Sequence, residues 1–178
     1  MKKKTALIVS LALIIVCLIG GTIAWLTAET EAVENVFTIG KIDATLAETT
    51  GTEYKILPGG TDAKDPVLTI KSGSEKCYAY VLIDNELGDA ATLDITGWTS
   101  VTTSGTKTLY RYDSEVDAAS ADQALAVFTQ VTYDSDLTAD DLAALDGKKI
   151  TVDGFAIQSE NISESAADAE AEAAFGLS

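Results

Sequence analysis

The sequence predicts an all-β fold, an antiparallel β-sandwich with one or two short helices. Past residue 36 the chain is a series of short runs in which apolar and polar side chains alternate, the pattern of half-buried strands. Clusters of Gly, Pro, Asn, Asp and Ser separate those runs, where an extended chain reverses. Helical spacing interrupts the pattern in only two places.

The chain opens with Met1–Lys2–Lys3–Lys4, an apolar run from Ala6 to Ile19, and Gly20–Gly21–Thr22–Ile23–Ala24. A cationic start, a short oily core and a small-x-small exit predict a secretory signal over residues 1–24. The lysines stay at the cytoplasmic face while the apolar run enters the bilayer. Thr22 and Ala24 then offer small side chains to a signal peptidase, and Trp25 becomes the first residue. Gly20–Gly21 breaks the helix where processing would occur. An uncleaved anchor is the alternative, since Ala6–Leu26 almost reaches the roughly 20 residues that cross a bilayer. Residues 25–36 follow as a separate N-terminal segment, and 37–178 as the sandwich domain.

Phe37 to Leu46 alternates on either side of Gly40–Lys41, where a slip in phase predicts a bulge that glycine permits. Val67–Ile70, Cys77–Ile83, Leu93–Ile95, Thr108–Tyr112, Leu125–Tyr133 and Ile150–Ile157 are the further strands. Turns are expected at Pro58–Gly59–Gly60, Ser72–Gly73–Ser74, Asn85 to Asp89, Ser104–Gly105 and Asp134–Ser135–Asp136. Seven or eight such strands read as a sandwich rather than a parallel sheet. Thr138 can cap a first helix, with Asp141 three residues on, Leu137 and Leu142 as a staple, and Gly147 as its stop. The second, from Ser163 to Phe175, is alanine-rich and carries Glu164, Asp168, Glu170 and Glu172. With no Lys or Arg near its end to complement the macrodipole, it is expected to be a marginal, frayed helix or a disordered tail.

The 178 residues carry a formal charge of −16, and removing residues 1–24 with their three lysines leaves 154 residues at −19. So acidic a chain argues against nucleic acid or anionic lipid as partner, since both are polyanions. It also opposes close packing of identical copies. Cys17 leaves with the signal, and bulky Val16 before it makes a poor lipoprotein site. Cys77 is then alone, so no intramolecular disulfide forms, and its strand-like neighbours predict a buried, inert thiol.

The chain contains no histidine. That removes the usual general base, the Ser-His-Asp and Cys-His pairs and the histidine zinc sites, so no catalytic, cofactor-binding or metal residue is assigned. Asp134-x-Asp136 lacks the following acid and glycine of a calcium loop, leaving only an irregular Ca²⁺ site of loop aspartates as an alternative. Leu57–Pro58–Gly59–Gly60–Thr61 is a loose echo of a sortase signal, mid-chain and without its tail. Asn161–Ile162–Ser163 is a formal glycosylation sequon.

Several blocks together resemble the TasA/camelysin family of exported Gram-positive proteins. They are Gly20–Gly21–Thr22–Ile23–Ala24–Trp25–Leu26–Thr27, Asn35 through Asp43, Leu57–Pro58–Gly59–Gly60 with Lys64–Asp65–Pro66, Tyr78–Ala79–Tyr80–Val81, and Phe155 through Glu160. Asp84 to Asp146 carries no matching motif. The resemblance implies processing by a SipW-type signal peptidase and a jelly-roll sandwich secreted to the cell surface or biofilm matrix. It also implies self-assembly into fibres, the N-terminal segment of one subunit completing the sheet of the next; an accessory assembly protein is a further partner on that reading. Camelysin-like members have been labelled metalloproteases, an activity that the absence of histidine argues against here.

The residues allow such a donor strand, with a disordered leader between signal and domain as the alternative. In an extended chain Leu26, Ala28, Thr30, Ala32, Glu34 and Val36 share one face, small and mostly apolar up to Glu34, while Trp25, Thr27, Glu29, Glu31, Val33 and Asn35 share a wetter one. Ordering about 10 residues costs on the order of 10–20 kcal/mol. Larger buried side chains return roughly 1.5–3 kcal/mol each and ladder bonds about 1 kcal/mol net. Docking therefore needs a preformed acceptor that offers both pairing and pockets. A rival expectation is a monomeric surface module that binds glycan or a host protein through Trp98, Tyr110 and Tyr112, which requires those rings to be exposed.

Overall fold

The computed structural model describes residues 41–50 and 55–177. Its strands are β1 (Ala44–Ala47), β2 (Thr61–Ala63), β3 (Val67–Ile70), β4 (Cys77–Asn85), β5 (Ala91–Leu93), β6 (Trp98–Ser104), β7 (Lys107–Tyr112), β8 (Gln123–Ala126), β9 (Gln130–Tyr133) and β10 (Ile150–Gln158). Two helices, α1 (Ala139–Ala144) and α2 (Glu164–Ala174), complete it. All pairings are antiparallel, in sheets ordered β1-β3-β8, β10-β4-β7-β6 and β2-β9-β5. The result is the expected sandwich-like, mainly-β fold.

β4 is the spine. Its unbroken apolar run Cys77–Ile83 has no polar face to offer, so both of its faces are buried. Cys77, Ala79, Val81 and Ile83 point into a main core shared with Leu68 and Ile70 of β3, Leu125 of β8 and Val131 and Tyr133 of β9. Tyr80 and Leu82 point the other way, where Leu109 of β7 and Ala167 and Ala171 of α2 close a second core. Gly154 of β10 sits over the main core because a Cβ there would come within 2.8 Å of Leu68 Cδ1.

Turn chemistry places the strands. Leu57–Pro58–Gly59–Gly60 is a turn closed by the Gly60 amide donating to the Leu57 carbonyl (2.8 Å), with Gly59 at φ +71. It is pinned to β9 by the Tyr133 amide donating to the Gly60 carbonyl (2.9 Å). α1 carries the expected capping box, the Asp141 amide donating to Thr138 Oγ1 and the Thr138 amide to Asp141 Oδ2. Gly147 follows at φ +74.

Four expectations change. Leu125–Tyr133 is two strands in two sheets, because adjacent Val127 and Phe128 are both buried and break the period of two. The Leu93–Ile95 strand lies earlier, at Ala91–Leu93, since Asp94 leaves the ladder to accept from the Thr129 and Gln130 amides (2.7 and 2.8 Å). β2, only Thr61–Asp62–Ala63, and β6, rich in Thr and Ser, lacked the apolar alternation that marks a strand. The fourth is α2, which is docked rather than frayed. Ser163 caps it, and its end forms a Schellman motif in which the Leu177 amide donates to the Glu172 carbonyl (2.9 Å) and Gly176 to Ala173 (3.1 Å). Ala167 and Ala171, one turn apart, are fully buried against β4. Asp168 accepts from Arg111 Nη1 (2.7 Å) and from the Tyr80 hydroxyl (2.9 Å), while Arg111 Nη2 reaches Glu164 (2.6 Å).

Candidate functional site

The two longer edges of the sandwich differ. On one side Trp98 of β6 donates its indole N–H to the Ala126 carbonyl of β8 (2.8 Å), which latches the two sheets together. On the other side lie β1 and β10, each hydrogen-bonded to a single neighbour among the described residues.

The direction of the β10 backbone groups follows from its register. Ser159 donates to the Lys76 carbonyl (2.9 Å) and Glu86 to the Lys149 carbonyl (3.1 Å), and the pairing runs unbroken from Ile150↔Asn85 to Gln158↔Cys77. Odd-numbered residues of β10 therefore bond to β4. The amides and carbonyls of Ile150, Val152, Gly154, Ala156 and Gln158 face outward, along a nine-residue edge. The same parity argument, from the Lys71 amide donating to the Asp43 carbonyl (2.8 Å), turns the groups of Ala44 and Leu46 outward on β1. A long open edge is a template for another strand unless something blunts it.

Between these edges lies a cavity of about 230 Å³ lined by Leu46, Pro66, Phe128, Ile150 and Val152, with Glu48 and Lys64 paired across its rim (2.7 Å). Leu46 is 36% exposed there although it belongs to a strand. Among the described residues, the β1–β10 side thus combines outward ladder positions that pair with no third strand with an apolar slot, the two things an added strand uses. Asp65 ties the chain beyond β1 in place: it accepts from the Thr49 and Thr50 hydroxyls and from their amides (2.9 and 2.8 Å), and these bonds hold its carboxyl well below the usual carboxylate range.

Thr22, Ala24 and Trp25 of the expected cleavage site, Leu26, Ala28, Thr30, Ala32 and Val36 of the expected donor strand, and the Gly40 bulge lie outside the described residues. The aromatic trio does not form an exposed platform. Trp98 is 7% exposed, its ring meets Tyr112 edge-on at 5.1 Å, and Tyr110 and Tyr112 are half-buried against the main core. Cys77 is fully buried, and burial pushes its thiol up to about 11. Asp89, Asp134, Asp136 and Asp141 line one pocket, yet among the described residues no three acids or thiols are grouped to hold a metal ion. The strand Ile150–Ile157 was legible in the sequence, but its edge position was not, because that depends on which of ten strands pair. Comparison with protein-family models, curated proteins and solved structures gave no match to this chain.

Proposed function

We propose that this is a secreted, non-enzymatic structural protein that polymerises at the cell surface or in an extracellular matrix. The N-terminal segment of one copy, residues 25–36, adds as a strand to the open β10 edge of the next. The observation that carries this reading is that edge: five residues with outward backbone groups beside an apolar slot. It supplies the preformed acceptor that the entropy of ordering a free segment demands. A signal peptidase of the type suggested by the resemblance releases Trp25, and copies of the chain are the main partner.

The test is electron microscopy of the secreted protein beside a version that begins at Phe37 and beside Ala156→Pro. Proline at residue 156 removes an outward amide without touching the β4 ladder, which an edge position tolerates. Fibres are expected from the secreted protein only. Fibres from the version beginning at Phe37 would defeat the mechanism.

A further inference from the structure

The two ends of β10 carry opposite charge. At its start a cleft of about 490 Å³ has Lys55, Lys64, Lys148 and Lys149 on its walls and Tyr133 and Leu145 among its apolar residues, with Asp146 its one lining acid. Nine cations lie outside residues 1–24, so four of them line this one cleft. Lys64 is paired with Glu48, whereas among the described residues Lys55, Lys148 and Lys149 make no ion pair. Lys148 and Lys149 are exposed. The cleft shares Lys64 and Ile150 with the slot between β1 and β10, so the two are neighbours. At the far end of β10 a second cavity, of about 510 Å³, is lined by Glu75, Glu115 and Glu160; its one cation, Lys76, is paired with Asp117 (3.7 Å).

The segment proposed to dock on this edge is itself polarised. Residues 25–36 begin with Trp25 and Leu26, carry Glu29, Glu31 and Glu34, and have no cationic side chain. A strand laid parallel to β10 would bring Glu34 toward the three glutamates of the far cavity. Laid antiparallel, it brings Glu34 to the lysines and sets the Trp25–Leu26 end, with the α-ammonium freed by cleavage, at the acidic end. From this asymmetry, and on the strand-addition reading above, we infer that the lysine cleft receives the Glu31–Val36 end of a second copy and so fixes the incoming strand antiparallel to β10. The lysine stems and the apolar floor cover Val33 or Val36 while the ammonium groups meet the carboxylates. Of the four cations that make no ion pair among the described residues, three lie here and only Lys107 lies elsewhere, which fits a landing site for an acidic segment.

The experiment mixes variants of the secreted protein that each carry one added cysteine, one member of each pair bearing a size tag, so that any cross-link of mixed size joins two molecules. Asn35→Cys with Lys149→Cys is expected to cross-link on oxidation, and Asn35→Cys with Glu160→Cys is not; buried Cys77 does not compete. In parallel, Lys148→Glu with Lys149→Glu is expected to slow assembly at least about tenfold, and Glu31→Lys with Glu34→Lys in the same chain to restore it. Cross-linking at Glu160, unchanged assembly after lysine reversal, or capture of an added anionic polymer without any copy-to-copy link would each overturn the inference. If polarity fails in this way while Ala156→Pro still blocks fibres, strand addition stands. If fibres survive both Ala156→Pro and removal of residues 25–36, the underlying reading falls with it.

Discussion

Single residues in this protein earn their place through geometry that acts at long range. Asp168 is the clearest case: from a helix it accepts from Arg111 on β7 and Tyr80 on β4, both largely shielded from water. Burial, and then Asp168 itself, pushes the Tyr80 hydroxyl above its ordinary range, which keeps it a donor. Asp168→Ala leaves a buried hydroxyl and a half-shielded guanidinium short of a partner, and is expected to cost about 1–3 kcal/mol in denaturant unfolding. Cys77 gives a second test. With its side chain in the main core and its thiol pushed up to about 11 by burial, it should resist a thiol reagent in the native protein and react at once on unfolding. Gly154→Ala is expected to destabilise by about 1–3 kcal/mol, because the new methyl meets Leu68 in a filled core.

At the scale of elements, local chemistry was legible and partnership was not. The Thr138–Asp141 capping box could be read directly, since its donors and acceptors lie within four residues, and Thr138→Ala should cost about 1 kcal/mol in thermal unfolding. α2 was misjudged on the same local grounds: it lacks C-terminal cations, and its capacity to dock depends on Arg111, 57 residues away in sequence from Asp168. The spacing of Ala167 and Ala171, with Gly176–Leu177 as a terminator, was the signal that could have been read. β6 hid behind threonines and serines whose strand propensity is real but whose hydrophobic pattern is absent. The candidate site shows the same division. Ile150–Ile157 announced a strand by its alternation, whereas nothing local marked Lys148 and Lys149 before it as part of a site. That β10 ends a sheet, beside β1 and over a slot, follows only from the pairing of the whole set.

For the whole molecule the governing quantity is charge, and it acts in two ways over different distances. A formal −16 over the full chain repels copies at long range. On the proposed strand addition, the lysine cleft would attract a neighbour's acidic segment at contact. Salt separates them: near physiological ionic strength the Debye length is about 8 Å, short enough to quiet the general repulsion while contact pairs survive, whereas near 1 M it is about 3 Å and those pairs weaken too. Assembly followed by light scattering should therefore rise with salt, pass through a maximum and fall, and divalent cations should reach that maximum at lower concentration. Acid acts by a related route. Exposed carboxylates begin to protonate as pH falls toward about 4.5, which lowers repulsion. The carboxylates of Asp65, Asp122 and Asp141 are held below the usual range mainly by bonds from Thr49, Ser72 and Thr138; at Asp94 burial opposes the shift, but bonds from Thr129 and Gln130 outweigh it. A depressed folded-state pKa contributes stability that is complete above the unfolded value, near 4, declines below it, and is gone once pH has fallen through the lower folded value. These clamps thus hold their loops through the range in which surface charge first drops. Scattering should increase between pH 7 and about 4.5 with an unchanged circular dichroism spectrum, and the fold should fail only at lower pH. Assembly that is as fast in dilute neutral buffer, or that climbs steadily to high salt, would show that neither the repulsion nor the cleft governs association.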